Sequence, residues 1–127
     1  MATILIAEDD PKILQVCKMW LTRAGHCVLE AVNGQQAREL LQTREVDVLI
    51  SDVHMPMLSG TDLVTWWRVE KKSSKPVMMF TASCSPEDIY SRMQHHDVQL
   101  FPKPFSPPRL ISAINQLLGK EDEQRSS

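Results

Sequence analysis

The stretch TILIAEDD, residues 3–10, decides the fold, because an unbroken apolar run ends abruptly in three carboxylates. Its first part, Thr3–Ala7, lacks polar alternation and is rich in β-branched residues, which is typical of a strand buried on both faces of a parallel sheet. In such sheets, ligands bind at the edge that the carboxyl ends of the strands share. We therefore predict that Glu8 and Asp9 lie at that edge, whereas Asp10, which a proline follows, caps the next helix.

Four further apolar runs alternate with helical patterns along the chain. They predict strands at Cys27–Ala31, Val46–Ile50, Val77–Thr81 and Val98–Pro102, with helices between them and after the last. This alternation predicts an α/β fold, (βα)5, in which a doubly wound parallel five-stranded sheet is covered by helices on both faces. Since proline is tolerated in a sheet mainly on an edge strand, Pro102 favours an edge position for the fifth strand.

Apolar stripes and capping residues predict the helices. The first is predicted from Pro11 to Ala24 and the fourth from a capping box at Ser85–Asp88, while the others follow Asn33, Gly60 and Ser106. The apolar stripe predicted for the first helix consists of Ile13, Cys17, Trp20, Leu21 and Ala24.

The composition is that of one ordinary domain. The chain has 127 residues, 43% of them hydrophobic and 24% charged, and a formal net charge of −2, so it does not indicate a nucleic-acid-binding protein. It shows no signal-peptide pattern and no apolar run near the ~18 residues that cross a membrane, so we expect no membrane contact. Three cysteines without a CxxC pair favour a reducing compartment, the cytoplasm. We expect one domain over residues 1–119 and a disordered polar tail over 120–127.

Polar side chains follow three other predicted strands at the same edge. Asp52 comes after the third strand, Thr81 closes the fourth, and Lys103 follows the fifth. Carboxylate oxygens next to a phosphoryl group are a setting that Mg²⁺ prefers. We predict Asp9 and Asp52 as direct Mg²⁺ ligands, with Glu8 holding a metal-bound water; the backbone carbonyl of His54 would complete the site.

In this setting Asp52 can act as a nucleophile on phosphorus and form an acyl phosphate. Thr81 would donate a hydrogen bond to one phosphoryl oxygen, and Lys103 would pair with another. Simpler interpretations stay open for each residue: acidic groups after a strand can merely cap a helix, Asp52 can start a turn, and Thr81 and Lys103 can be ordinary surface residues.

The order of these segments resembles the receiver domain of two-component response regulators. The resemblance covers about residues 3–119 and depends on four segments, Ile4–Asp10, Asp52–Gly60, Phe80–Ala82 and Lys103–Phe105. It implies a flavodoxin-like sheet with the strand order 2-1-3-4-5. It also implies Mg²⁺-dependent transfer of a phosphoryl group from the phosphohistidine of a histidine kinase to Asp52, which Thr81 and Lys103 would sense, and a cis peptide bond between Lys103 and Pro104.

The resemblance implies partners and a mode of action as well. A sensor histidine kinase or a phosphotransfer protein would donate the phosphoryl group. A downstream effector protein, or an effector domain outside this chain, would read a shift between two conformations, and phosphorylation-dependent dimerisation is compatible with it. The protein would then be a phospho-acceptor that catalyses its own phosphorylation and dephosphorylation rather than a turnover enzyme.

Two positions depart from the usual pattern of the family. Leu100 stands where an aromatic residue commonly pairs with the threonine, and residues 96–99 replace a turn that often reads Gly-Ala-Asp. Both departures leave the phosphorylation chemistry intact and concern the output switch.

Two other functions compete with phospho-signalling. One is a small Mg²⁺-dependent phosphatase or phosphotransferase with Asp52 as nucleophile, although such enzymes usually carry an Asp where this chain has His54. The other is a protein-interaction module that is not phosphorylated, against which the intact acidic cluster argues.

Overall fold

One parallel sheet organises the chain. The computed structural model describes residues 2–81, 91, 93, 96–103 and 106–126, of which 120–126 are described by their backbone alone. Within these residues, five strands pair in the order β2-β1-β3-β4-β5, which confirms the predicted topology. The strands are β1 (Thr3–Ala7), β2 (Cys27–Ala31), β3 (Val48–Asp52), β4 (Val77–Thr81) and β5 (Val98–Pro102).

Helices cover the sheet, and capping side chains set where three of them begin. These three are α1 (Pro11–Arg23), α2 (Gly34–Thr43) and α3 (Gly60–Val69), and a C-terminal helix spans Pro107–Ser126. The side chains of Asp10, Asn33 and Ser59 accept hydrogen bonds from backbone amides in the first turns of α1, α2 and α3. The predicted capping role of Asp10 is therefore confirmed.

The predicted fourth helix and the predicted C-terminal tail are described only in part. Of the helix predicted from Ser85–Asp88, the structure describes only residues 91 and 93, both of which are helical, and the rest of the helix stays a prediction. The C-terminal helix continues through residues 120–126, which the sequence assigns to a polar tail, and the division of the chain at residue 119 stays a prediction.

The third strand lies further along the chain than its apolar residues predict. It spans Val48–Asp52 rather than Val46–Ile50, because Ser51 pairs with Ala7 of β1 and Asp52 pairs with Phe80 of β4. The two neighbouring strands therefore extend β3 past its apolar run. This places the Asp52 carboxylate at the end of the sheet itself rather than in the following loop.

Two apolar cores lie on opposite faces of the sheet. Ile4, Ile6 and Ile50 belong to the core under α1 and the C-terminal helix, and Leu5 and Leu49 to the core under α2 and α3. Such alternation is expected of strands buried on both faces.

The stripe predicted for α1 was partly wrong. Leu14, Cys17 and Leu21 are the buried residues of this helix, whereas Ile13 and Trp20 are half-buried. Ala24 is exposed because the helix ends at Arg23 and Ala24 is its C-cap.

Strand β5 is an edge strand, as Pro102 predicts, and its neighbouring side chains face opposite cores. Leu100 is partly buried against the core under α2 and α3. Phe101 packs in the other core, with its ring centroid 6.1 Å from that of Phe80.

None of the helices in the described part of the chain is long and apolar enough to cross a membrane.

Candidate functional site

The carboxyl edge of the sheet gathers the predicted polar residues. Ala7 pairs with Ser51, so Glu8 and Asp52 follow at matching heights after β1 and within β3. At the outer side, the amide of Lys103 donates to the carbonyl oxygen of Thr81, at 2.9 Å. This bond holds the start of the loop after β5 against the end of β4, and from there the Lys103 side chain reaches back over the sheet.

The ammonium of Lys103 joins two carboxylates. Its Nζ lies 2.7 Å from Oε1 of Glu8 and 3.0 Å from Oδ2 of Asp52, and 5.9 Å from the ring centroid of Phe80. The side chain of Glu8 is 0% exposed, that of Asp52 13% and that of Lys103 14%. Asp52 and Lys103 thus keep a narrow opening to solvent, whereas Glu8 forms the floor of the pocket.

Burial and neighbouring charges shift the pKa of both charged partners. The pKa of Glu8 is raised to about 7, mainly by burial and also by the nearby Asp52 carboxylate, against the opposing effect of Lys103. Burial acts to lower the pKa of Lys103, but its hydrogen bonds to Glu8 and Asp52 outweigh this effect and raise the pKa. The pocket therefore favours a charged lysine and holds one carboxyl group that titrates near neutral pH.

The acidic residues suit a divalent cation. Glu8, Asp9 and Asp52 each offer a carboxylate oxygen within 4.8 Å of one another. Oε2 of Glu8 is buried and has no hydrogen-bond partner among the described residues. An oxygen left in this way is costly unless a cation or a water meets it. Mg²⁺, which prefers oxygen ligands and keeps several waters, fits this donor set.

The remaining predicted residues flank this cluster. Thr81 is buried at the end of β4, and the side chain of His54 is exposed just after β3. The His54 carbonyl as a metal ligand and the Thr81 hydroxyl as a phosphoryl donor stay predictions. Pro104 and Phe105 lie outside the described residues, so the cis bond after Lys103 also stays a prediction.

Sequence reasoning missed two residues that hold the backbone of Asp52. The hydroxyl of Ser51 donates to the carbonyl oxygen of Asp52, at 2.9 Å. Gly60 lies against the same carbonyl, and a Cβ at this position would come within 2.0 Å of its oxygen. The only signal in the sequence is a serine at the end of an apolar run, together with a glycine nine residues later.

Comparison with known proteins identifies the family. The response regulator receiver domain matches residues 4–115 of the chain. A chemotaxis protein CheY homolog of Campylobacter jejuni is 34% identical over 119 residues, which cover 91% of this chain and 92% of that protein. The response regulator GtcR of Aneurinibacillus migulanus is 31% identical over 95% of this chain, but the chain spans only about half, 49%, of its length.

Solved structures agree with this family. The receiver domain of the Francisella response regulator 1452 superposes with a TM-score of 0.87 at 30% identity, covering 95% of this chain and 99% of that one. The chemotaxis response regulator CheY4 of Vibrio cholerae superposes with a TM-score of 0.84 at 30% identity, covering 92% and 98%. The chain therefore belongs to the response regulator receiver domains of two-component signalling, and its 2-1-3-4-5 sheet is their CheY-like, flavodoxin-like fold.

Proposed function

We propose that Asp52 is the phospho-acceptor of this receiver domain and that a sensor histidine kinase or a phosphotransfer protein is its phosphodonor. The observation that carries the proposal is the position of Lys103, whose ammonium binds both Asp52 and Glu8 at the carboxyl edge of the sheet. Asp52 is the partly exposed carboxylate of this pair, so an incoming phosphoryl group can reach it, whereas Glu8 is closed off.

The chemistry is a displacement at phosphorus. A carboxylate oxygen of Asp52 forms a bond to phosphorus while the phosphorus–nitrogen bond of the phosphohistidine breaks, and the electron pair leaves on the imidazole. The Lys103 ammonium, already within reach of Asp52, would then pair with a phosphoryl oxygen, and the Thr81 hydroxyl would donate to another. Hydrolysis of the acyl phosphate by water then releases inorganic phosphate and restores the Asp52 carboxylate.

Mg²⁺ is the proposed cofactor. Asp9 and Asp52 would bind it directly, Glu8 would hold one of its waters, and the His54 carbonyl would complete the set. When bound, it would supply positive charge against the phosphoryl oxygens during transfer. The buried oxygen of Glu8 without a hydrogen-bond partner supports this assignment.

The consequence of phosphorylation is a shift between two conformations rather than turnover of a metabolite. A phosphoryl group that draws Lys103 and Thr81 toward itself favours one arrangement of the loops at this edge. The proposed readers of that arrangement are a downstream effector protein, an effector domain or a second copy of the domain. A cytoplasmic location is part of the same proposal, because three cysteines without a CxxC pair favour a reducing compartment.

Mass spectrometry after incubation with acetyl phosphate and Mg²⁺ tests this function. We expect the parent and the control Asp62→Asn, which alters an exposed carboxylate in the first turn of α3, to gain one phosphoryl group. Asp52→Asn should gain none, and undiminished labelling of this variant would contradict the assignment. Steady hydrolysis of a phosphomonoester by the parent would instead indicate a phosphatase, and no reaction at all would indicate an interaction module.

A further inference from the structure

The buried hydroxyl of Ser51 sits beside the proposed phospho-acceptor. Ser51 is fully buried, and strand alternation places it on the same face of β3 as Leu49, which belongs to the core under α2 and α3. A hydroxyl in an apolar core costs free energy unless it forms a hydrogen bond. Ser51 forms this bond with the carbonyl oxygen of Asp52, at 2.9 Å.

This bond holds one end of a peptide group whose other end is also held. The peptide that links Asp52 to Val53 has its oxygen bound by the Ser51 hydroxyl. Its N–H, on Val53, donates to the carbonyl oxygen of Phe80 in β4, at 3.0 Å. Because a peptide group is planar and rigid, two such bonds restrict the rotation of the backbone on both sides of it.

Gly60 also packs against the peptide group that links Asp52 to Val53. A Cβ on Gly60 would lie 2.0 Å from the Asp52 carbonyl oxygen and 3.0 Å from the Ser51 hydroxyl. The amide of Gly60 donates to the carbonyl oxygen of Val53, at 2.8 Å. The first residue of α3 therefore packs onto this peptide, at a place where only a residue without a Cβ fits.

We propose that Ser51 is a positioning residue for Asp52: its hydroxyl fixes the peptide plane that follows Asp52 and thereby aims the carboxylate at Lys103 and the acidic cluster. The inference rests on the proposed function, in which Asp52 is the nucleophile. Without the hydroxyl, the carbonyl can rotate away from α3, and the Asp52 Cα and side chain turn with it. A displacement of about 1 Å can cost a reacting group roughly a hundredfold in rate, so even a small rotation is measurable.

The test compares Ser51→Ala with Thr65→Val, a matched control. Thr65 also donates a side-chain hydroxyl to a backbone carbonyl oxygen, that of Thr61 at 2.8 Å, but it does so within α3. Both variants and the parent are incubated with Mg²⁺ and increasing acetyl phosphate. The rate at saturating donor and the donor concentration for half that rate are measured, together with amide exchange at Val53 and thermal unfolding.

We expect Ser51→Ala to lose about tenfold in the saturating rate while the half-saturating donor concentration stays unchanged, because the nucleophile is misaimed and the donor still binds. The Val53 amide should exchange faster in this variant and at the parental rate in Thr65→Val. A parental rate in Ser51→Ala, or a rate loss with parental exchange at Val53, would overturn the inference. A rate loss in Thr65→Val as large as that in Ser51→Ala would overturn it as well.

Different results would reject the proposed function and the positioning role of Ser51. If the parent takes up no phosphoryl group, the proposed function is wrong. The exchange of the Val53 amide does not depend on phosphorylation, and an unchanged value in Ser51→Ala would reject the positioning role on its own.

Discussion

At the residue scale, one lysine allows two carboxylates to lie close together. Lys103 bonds to Glu8 at 2.7 Å and to Asp52 at 3.0 Å, in a pocket that is largely closed to water. Replacing Lys103 by a neutral residue leaves both carboxylates poorly solvated without their partner. The resulting loss of stability exceeds that from breaking an exposed ion pair.

We therefore predict that Lys103→Gln lowers the free energy of unfolding by about 1–3 kcal/mol at neutral pH without divalent cations. Lys72→Gln, which alters an exposed lysine in the loop before β4, should change it by less than about 0.5 kcal/mol. Urea titration of both variants against the parent measures the difference. Equal stability of the two variants would show that Lys103 does not hold the carboxylates.

Glu8 makes stability depend on pH. Its pKa is raised, mainly by burial, to about 7 from an ordinary value of 4.5. Between these values the folded protein holds a proton that the unfolded chain has lost, so this group destabilises the fold progressively as pH rises through the window. In the absence of divalent cations, we expect the parent to lose stability from about pH 5 to pH 7 relative to Glu8→Gln.

Unfolding free energies of these two proteins at several pH values measure the effect. Below about pH 4.5 the folded and unfolded parent both bind the proton, and the difference between the parent and Glu8→Gln should become constant. Parallel curves across the whole range would mean that the pKa of Glu8 is not raised.

At the scale of elements, Arg68 connects the end of α3 to the segments that lead into β4 and β5, at the amino edge of the sheet. Its guanidinium donates to the carbonyl oxygens of Ser73 and Lys75 before β4, at 3.1 and 2.7 Å. It also donates to those of His96 and Asp97 before β5, at 2.6 and 3.4 Å. Three segments therefore share one side chain, at the end of the sheet opposite the acidic pocket.

We predict that Arg68→Gln costs about 2–4 kcal/mol of stability, since several charge-assisted hydrogen bonds are lost together. Arg68→Lys should recover little, because an ammonium cannot reproduce the planar fork that reaches two loops. Arg44→Gln, at an exposed arginine after α2, is the control and should be nearly neutral. Chemical denaturation checks all three, and full recovery by Arg68→Lys would show that charge alone matters.

Leu100 on strand β5 affects which parts of the domain are expected to change on phosphorylation. Leu100 packs against the core under α2 and α3 and has no polar tip that could favour an exposed position. An aromatic ring at this place would have a large area to bury or expose, so its two positions could differ in free energy by about 1 kcal/mol. We expect phosphorylation to perturb the loops after Asp52 and Thr81 more than β5 and the C-terminal helix.

Amide exchange or NMR shift mapping, with and without a phosphoryl mimic, checks this expectation. The variant Leu100→Tyr is the comparison and should show larger changes around β5 than the parent. If the largest changes in the parent centre on Leu100 and the C-terminal helix, the domain switches without the ring and the expectation is wrong.

At the scale of the whole molecule, the acidic pocket exists only when the sheet is assembled. Glu8 and Asp9 directly follow β1 and Asp52 ends β3, so the unfolded chain cannot hold a cation with all three. We predict that Mg²⁺ stabilises the fold by about 2.7 kcal/mol at 100 times its Kd. Asp9→Ala should lose this gain and Glu8→Gln only part of it, because a direct ligand contributes more than a residue that holds a water.

Thermal unfolding over a range of Mg²⁺ concentrations, with Asp62→Asn as the control, measures these gains. A parental Mg²⁺ response in Asp9→Ala would reject the ligand assignment.

The order of the strands was predicted from the resemblance to receiver domains, whereas the strands themselves and the residues of the pocket could be predicted from local patterns and from the rule that parallel strands end at one edge. The end of β3 could not, since pairing with Ala7 and Phe80, and not its own apolar run, extends it to Asp52. The role of Ser51 could not be predicted either, because it depends on Gly60, which only tertiary packing brings against this small polar residue. Contacts between segments distant in sequence decide such details, because hydrogen bonds and close packing depend on distances that no pattern of residues specifies.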